Sequence, residues 1–319
     1  MNYLKLYPTP IAGLTLGIAG IAAFWGSVIT NTIAANIALI ITAAIVIMLL
    51  LPLILKFILH PSTLWQDLKH PTVGSVVPTF AMTLMLLSKT IGLGSESLAI
   101  TLWLFAVILH AGFFSVFCFH RLRDLDINHL VPSWFVPPIG IVVACLTVPS
   151  TDFTVLAYVI LTFGILTYCI MLPMVIYRLS LGNNIEDARK PTLAVLAAPA
   201  SLTLAGYLSL SSSPNALLVI ALFAIAILMT VSVYIMLVNL LRHLSFSPAY
   251  SAFTFPLAIS ATATYKVSTW SGTVNLFSDY SNVLYNISMI EGILASAVII
   301  YVFQHYVRFL IKTKYNNKL

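Results

Sequence analysis

Charged residues are scarce in this sequence. Asp, Glu, Lys and Arg make up only 8% of the 319 residues, whereas hydrophobic residues make up 60% and the mean hydropathy is +1.03. A soluble domain of that composition would have too little polar surface to hydrate. Because the apolar runs recur along the whole chain with only short polar breaks, residues 1–319 are predicted to form a single integral membrane domain in contact with the lipid bilayer.

Cysteine is nearly absent as well. Cys118, Cys145 and Cys169 are odd in number, lie inside apolar runs and lack the paired spacing of a disulfide framework or a metal site. The sequence also has no paired carboxylates, Gly-rich phosphate loop or nucleophile elbow. We therefore expect no catalytic residues, no cofactor and no bound metal, and the protein is not expected to be an enzyme.

Ten apolar runs of about 20 residues are long enough to cross a bilayer. All ten are expected to be α-helices, which makes the fold class all-α. The predicted spans are 8–30, 36–59, 71–90, 97–119, 131–149, 153–177, 191–210, 214–241, 247–267 and 283–311.

Basic residues are distributed unevenly among the loops. With the two ends and the alternate loops on one side, thirteen basic residues lie there, and only Lys89 and Lys266 lie opposite. This bias predicts a multi-pass protein of the inner (plasma) membrane with both termini in the cytoplasm. Because the basic residues sit at span ends rather than in one cluster, nucleic acid is not a predicted partner.

Prolines mark the odd-numbered spans. Pro10, Pro78, Pro138, Pro199 and Pro256 recur at intervals of about 60 residues, as a repeated structural unit would produce. This period predicts five quasi-repeated helical hairpins. The odd helices are expected to be kinked at these prolines, whereas the even helices are expected to be smoother.

Small residues form stripes at helical spacing on the odd spans. A single such stripe indicates close helix packing, but five at a regular interval favour an inner ring of odd helices around a central pore, shielded by an outer ring of even helices. The predicted pore-lining residues are Gly13, Gly17, Pro78, Ala81, Pro138, Gly140, Ala144, Thr147, Ala198, Pro199, Ser201, Ala205, Ser251, Pro256, Ala258 and Thr262.

One bulky ring interrupts the stripe of the ninth span. Phe255 shares a helix face with Ser251, Ala258 and Thr262. Phe253 lies about 200° away around the helix, so the two rings cannot both face the axis. Phe255 is therefore the predicted pore gate.

Few charges lie inside the spans, which argues against a cation pathway. Hydroxyl groups and the electropositive N-terminal ends of half-helices freed at the prolines can accommodate an anion. Lys89 and Lys266 either attract anions to the outer mouth or extend to the membrane interface. Glu291 and His110 are either hydrogen-bonded structural groups or proton-coupling residues.

Several short motifs resemble the tellurite-resistance/dicarboxylate transporter family, part of the voltage-dependent anion channel superfamily. They are His70-Pro71, the Leu196–Ala200 run with Ala205–Leu208 after it, and Ala252–Pro256. The family includes bacterial TehA-type proteins, fungal malate and sulfite transporters and slow-type anion channels of plant guard cells. The resemblance implies ten helices in five hairpins, a central pore, a homotrimer and a gating phenylalanine at the position of Phe255.

Two functional hypotheses follow. The first is a channel that conducts small inorganic or organic anions through a pore blocked by Phe255. The alternative is a proton-coupled carrier for a C4-dicarboxylate such as malate or for a sulfite-type oxyanion. A membrane scaffold is a third interpretation, but it gives no reason for prolines at regular intervals in alternate helices.

Overall fold

The computed structural model describes residues 2–124 and 126–316, and within these ranges every regular element is a helix and no β-strand occurs. Seven of the main segments follow the predicted spans to within about five residues, whereas α3, α7 and α9 begin seven or eight residues later than predicted. They are α1 (Ile11–Val28), α2 (Thr32–Leu59), α3 (Thr79–Ile91), α4 (Glu96–Leu122), α5 (Pro132–Leu146), α6 (Thr154–Leu181), α7 (Ala198–Leu210), α8 (Ala216–His243), α9 (Phe255–Ser271) and α10 (Ser281–Asn316). Shorter helices are Asn2–Lys5, Pro61–Lys69 and Val73–Val76.

Eight of these segments, counted among the described residues and with their flanking turns, are long and apolar enough to cross a bilayer. The two others are α5, which alternates between 3-10 and α-helical turns, and α9, which has 17 residues. On length and hydropathy alone, the structure thus supports eight of the ten expected spans.

Burial separates the odd segments from the even ones. In their most apolar stretches, α1, α3 and α7 bury 61% to 72% of their residues, whereas the even helices bury only 22% to 33%. Large side chains such as Ile108 on α4 and Leu217 on α8 are exposed. Because lipid does not drive helices together, small residues decide which helices approach closely, and these residues are concentrated on the odd segments.

Contacts between the odd segments follow a closed order. Helix α1 contacts α3, α3 contacts α5, α5 contacts α7, α7 contacts α9, and α9 returns to α1. Each even helix contacts the odd segment that precedes it in the chain. Segments that are neighbours in sequence therefore pair as hairpins, with the odd member on the inside.

The prolines of the odd segments lie where α-helix begins rather than in the middle of a helix. Pro78 immediately precedes α3, while Pro199 and Pro256 occupy the second positions of α7 and α9. A 3-10 turn, Lys190–Ala197 or Pro248–Phe253, comes before α7 and α9. At α7 and α9 the expected kinks are thus changes of helix type, because proline has no N–H and fits the first turn of a helix. Pro52 and Pro173 lie inside the continuous helices α2 and α6.

Three of the basic residues at one end of the helices are buried. Lys56 Nζ donates to Tyr7 O at 3.0 Å and to the Thr9 hydroxyl at 2.9 Å, and pairs with Asp67 at 3.5 Å. Arg178 donates to Ile127 O at 2.9 Å. Arg121 donates to Lys69 O at 2.6 Å. These side chains pair with loop carbonyls and so hold the loops against the helix ends.

His70 stabilises the start of the short helix Val73–Val76, which precedes α3. Its Nδ1 accepts hydrogen bonds from the backbone N–H groups of Thr72 and Val73, at 3.2 Å and 3.1 Å. Partial burial, together with the nearby Arg189 and Arg121, lowers the pKa of His70 below its usual value. A neutral ring keeps Nδ1 free to accept, so this cap is stable at neutral pH.

Close approach of α1 and α9 depends on glycine. A Cβ at Gly17 would collide with the Thr254 side chain, and one at Gly13 would lie 3.0 Å from Ser251 Oγ. Thr254 Oγ1 donates to Gly13 O at 3.0 Å, which ties the two segments together. The structure therefore places Gly17 in the contact between α1 and α9.

We predict that Gly17→Ala lowers the free energy of unfolding by about 2 kcal/mol, because the added methyl group forces α1 away from α9. The matched control is Gly112→Ala on α4, where a Cβ would meet no atom within 4 Å. That change is expected to raise stability by up to ~1 kcal/mol, because alanine is the better helix former. Unfolding of both purified variants with a denaturing detergent measures the difference, and equal effects would contradict the prediction.

Candidate functional site

A cavity of about 50 Å³ lies where the five odd segments meet. Its wall includes Leu16 of α1, Thr79 of α3, Ile139 of α5, Leu202 of α7 and Phe255 of α9. A water molecule needs roughly 10–15 Å³ of such space, so the cavity has room for a few waters or a small, largely dehydrated solute. All five odd segments therefore contribute to a single site.

Seven of the residues proposed from the sequence are brought together at this cavity. They are Gly13, Gly140, Ala198, Pro199, Ser251, Phe255 and Pro256. Six of them lie in or next to the first α-helical turns of α1, α7 and α9. Gly140 is the exception, because it begins the 3-10 turn in the middle of α5.

The other proposed lining residues lie away from this cavity. Buried in helix contacts are Gly17, Ala81, Ala144, Thr147, Ser201, Ala205 and Ala258. The Ser201 hydroxyl donates to Ala197 O at 2.8 Å, and the half-buried Thr262 donates to Ala258 O at 2.9 Å. Pro78 lies just before α3, and Pro138 faces an outer cleft between α4 and α6.

The cavity wall carries no charged side chain among the residues that the structure describes. Its three hydroxyl groups belong to Thr79, Ser133 and Ser251. Thr79 Oγ1 donates to Val76 O at 2.7 Å, and Ser133 Oγ lies 2.7 Å from Ser75 Oγ. Fixed charges therefore do not set the polarity of this site.

Four α-helices of at least 13 residues begin beside the cavity, namely α1, α3, α7 and α9. The N-terminal end of an α-helix carries a partial positive charge. First-turn N–H groups bond back to the preceding turn, as Gly13 N does to Pro10 O at 2.9 Å. The field of the aligned peptides, rather than free N–H donors, would therefore act on a solute in the cavity.

Phe255 and Phe253 have different surroundings. The Phe255 ring lies against α1, where a Cβ built at Gly20 would be 3.1 Å from its Cδ2, and the residue is 6% exposed. Phe253 is fully buried and packs edge to face on Tyr250, with ring centroids 5.0 Å apart. Phe255 lines the cavity and Phe253 does not.

Lys89 and Lys266 lie on the same side of the molecule, at the C-terminal ends of α3 and α9. Neither forms an ion pair within 4.0 Å with a carboxylate of the described residues. Helix α1 lies between α3 and α9 in the order of contacts, so the two lysines stand on odd segments that are not adjacent in that order.

Residues 8–307 match the family of voltage-dependent anion channels of the SLAC1 type. The chain belongs to the SLAC1 family. This match confirms the resemblance inferred from the short motifs, and it establishes a multi-pass membrane protein of a family of anion channels and transporters.

Two curated proteins of Methanocaldococcus jannaschii are similar to this SLAC1-family chain, and both are described as uncharacterized transporters. MJ0762 is 28% identical over 160 residues, and MJ0576 is 27% identical over 170 residues. The alignments cover 46% and 47% of this chain. The chain spans about half the length of the curated relatives it matches, 47% in each case.

His110 of α4 supports the broken segment α5 in this SLAC1-family protein. Its buried Nε2 lies 2.8 Å from Pro137 O, and because a carbonyl only accepts, Nε2 must be the protonated nitrogen. The ring also lies close to Gly140, where a Cβ would be 3.2 Å from His110 Cε1. His110 therefore stands behind the cavity wall rather than in it.

Glu291 of α10 faces α9 from the outside. Ser260 Oγ donates to Glu291 Oε1 at 3.4 Å, and Thr264 lies beside the carboxyl group. Glu291 Oε2 is buried and has no hydrogen-bond partner among the described residues. This carboxyl group contacts the helix that carries Phe255, but it does not line the central cavity.

Sequence reasoning missed several wall residues, including Thr79, Ser133, Phe135 and Leu202. The prolines could have indicated them, because each lies within a few residues of one. Phe135 and Leu202 are too large for the small-residue stripe on which the prediction depended. No three His, Cys, Asp or Glu side chains of the described residues lie together as a metal site.

We predict that His110→Phe lowers the free energy of unfolding by about 2 kcal/mol, because it leaves the buried Pro137 carbonyl without a donor. His110→Gln retains an N–H donor and is expected to lose less. Detergent unfolding of the two variants beside the unmodified protein tests this role. Equal losses in both would indicate that ring packing, and not the hydrogen bond, is the contribution of His110.

Proposed function

We propose that the ten segments all cross the membrane and that the odd ones form a ring around an anion-conducting pore. The 3-10 turn Pro248–Phe253 extends α9 by roughly 12 Å, which brings its length above the ~30 Å of a bilayer core. The closed order of contacts from α1 to α9 supports the ring. The even helices would form an outer layer that separates the pore from lipid.

The single observation that carries this proposal is the cavity shared by all five odd segments. Its wall has no carboxylate to attract a cation, and four helices present their electropositive ends to it. Aligned peptide dipoles act strongly in a site that excludes water. A small anion is therefore the solute that this arrangement favours, in agreement with the family to which the chain belongs.

Phe255 is proposed to be the gate of this pore. Its ring lines the cavity and packs against α1, and the cavity beside it has a volume of only about 50 Å³. An uncharged ring presents no hydrogen bond to replace the hydration of an anion, so it closes the path both sterically and electrostatically. Opening would require a rotamer change of Phe255 or a displacement of α9.

The other expectations remain part of the proposal. Lys89 and Lys266 would raise the local anion concentration at the outer mouth. The protein would be a homotrimer with one pore per protomer, would lie in the plasma membrane with both termini in the cytoplasm, and would act as a transport protein without a cofactor, not as an enzyme.

We predict that Phe255→Ala increases anion flux through reconstituted liposomes by about tenfold or more, since tenfold corresponds to a barrier lower by about 1.4 kcal/mol. Phe105→Ala serves as the matched control, because Phe105 of α4 is 54% exposed on the outer surface and should not affect conduction. Currents or fluxes of chloride, nitrate, sulfite, malate and succinate would be measured. An unchanged flux in Phe255→Ala would remove the gate assignment.

A proton-coupled carrier for malate-like or sulfite-like anions is a second candidate. It is favoured by one observation, the unpartnered buried oxygen of Glu291 beside α9. A carboxyl group in that position could exchange a proton as α9 moves. His110 would be the other coupling candidate, although its hydrogen bond to Pro137 gives it a structural role.

We predict that the two candidates differ in their response to a proton gradient. If the protein is a channel, the reversal potential follows the anion gradient alone and Glu291→Gln leaves it unchanged. If it is a carrier, substrate flux drives protons in the unmodified protein, and Glu291→Gln abolishes that coupling. The exposed Glu96→Gln is the control. Proton flux that persists in Glu291→Gln would exclude Glu291 as the coupling group.

A further inference from the structure

A second site lies on the outside of the helix bundle, between α4 and α6. Two neighbouring cavities of about 250 Å³ and 490 Å³ share Trp134 and Met171 in their walls. We call the pair the lateral cleft. Its floor is the broken segment α5, represented by Trp134 and Pro138.

The cleft exists because α5 does not fill the space between its neighbours. Pro137 and Pro138 lie in a single α-helical turn, Val136–Ile139, which stands between the 3-10 turns Pro132–Phe135 and Gly140–Val142. Helices α4 and α6 meet only further along, where Phe114 stacks edge to face on Phe163 with centroids 5.7 Å apart. The cleft is thus closed at that end and open to the surroundings along its length.

The walls of the cleft are apolar and lie at membrane depth. Phe117 of α4 and Ile170 of α6 both line it, and Ile170 is 64% exposed. The distance along α4 from Phe114 to Arg121 is about 10 Å at 1.5 Å per residue, which fits within one leaflet of ~15 Å. Of the parts of a bilayer, the hydrocarbon chain of a lipid is the one that matches such an apolar surface.

The other end of the cleft has a buried cation with unused hydrogen-bonding capacity. Arg121 is 7% exposed, and it donates through Nη2 to Lys69 O at 2.6 Å and through Nη1 to Asp124 Oδ2 at 3.3 Å. Its Nε is buried and has no acceptor among the described residues. Arg123 lies nearby, with its guanidinium 3.8 Å from the Phe119 ring centroid. A negatively charged hydrogen-bond acceptor at this end of the cleft would pair with Arg121 Nε.

We propose that the lateral cleft binds one anionic phospholipid, with an acyl chain between Phe117 and Ile170 and a headgroup phosphate oxygen accepting a hydrogen bond from Arg121 Nε. Arginine pairs well with phosphate, and juxtamembrane basic residues attract anionic lipid. The lipid would touch the outer face of Pro138, while Ile139 and Gly140 line the central cavity. Segment α5 would then be the only layer between the bound lipid and that cavity.

Native mass spectrometry of the full chain in detergent, titrated with phosphatidylglycerol, tests the site. We expect about one tightly bound lipid per protomer and its loss in Ile170→Trp, which fills the cleft. Leu166→Trp is the matched control, because Leu166 is 59% exposed on the same helix and does not line the cleft. Equal lipid retention in the two tryptophan variants, or no tightly bound lipid in the unmodified protein, would overturn the proposal.

The headgroup contact has its own test. Arg121→Gln is expected to weaken phosphatidylglycerol binding by about tenfold, the effect of losing one hydrogen bond to a charged group. Arg123→Gln should change it much less, and phosphatidylcholine should bind more weakly than phosphatidylglycerol to the unmodified protein. Ile170→Trp could instead dissociate an oligomer without releasing lipid. That result would show that a second copy of the chain occupies the cleft, and the lipid assignment would be wrong.

Discussion

A backbone N–H or C=O group left unpaired in a bilayer is unfavourable by several kcal/mol, so interruptions of membrane helices are confined to sites that protein surrounds. In this chain α5, α7 and α9 change between 3-10 turn and α-helix near their prolines, and α1 and α3 begin directly after a proline, all in segments that contact one another. The even helices are continuous and can face lipid. The division into an inner and an outer set follows from this constraint.

The same interruptions create the candidate site. Because the α-helical parts of α1, α3, α7 and α9 begin beside one cavity, their dipoles act together on a space without charged side chains. An arrangement of this kind can stabilise an anion while binding it less tightly than a buried arginine or lysine would. Weak binding suits conduction, in which an anion must leave as readily as it enters.

Polar groups behind the cavity wall keep the interruptions in place. His110 pairs with the Pro137 carbonyl, Thr254 joins α9 to α1, and Trp103 Nε1 donates to Ala144 O at 3.2 Å. Of these three side chains, the sequence had singled out His110, as either a structural or a proton-coupling group. Buried hydroxyl and imidazole groups near the cavity therefore bond to the backbone, which leaves Phe255 and the helix ends as the groups that face it.

The sequence by itself determined the class of the protein, the helical runs, the pairing of neighbours and the family, because hydropathy and proline spacing are local properties that the bilayer translates directly into helices. It also indicated Phe255 over Phe253, since helical geometry separates their faces. Only the tertiary structure decided which small residues meet at the cavity. Gly13 lines the cavity whereas Gly17 packs on Thr254, and Pro138 faces an outer cleft whereas Gly140 faces inward. A stripe of small residues permits close packing and pore lining equally, and the choice depends on how neighbouring segments are rotated and where 3-10 turns shift that rotation.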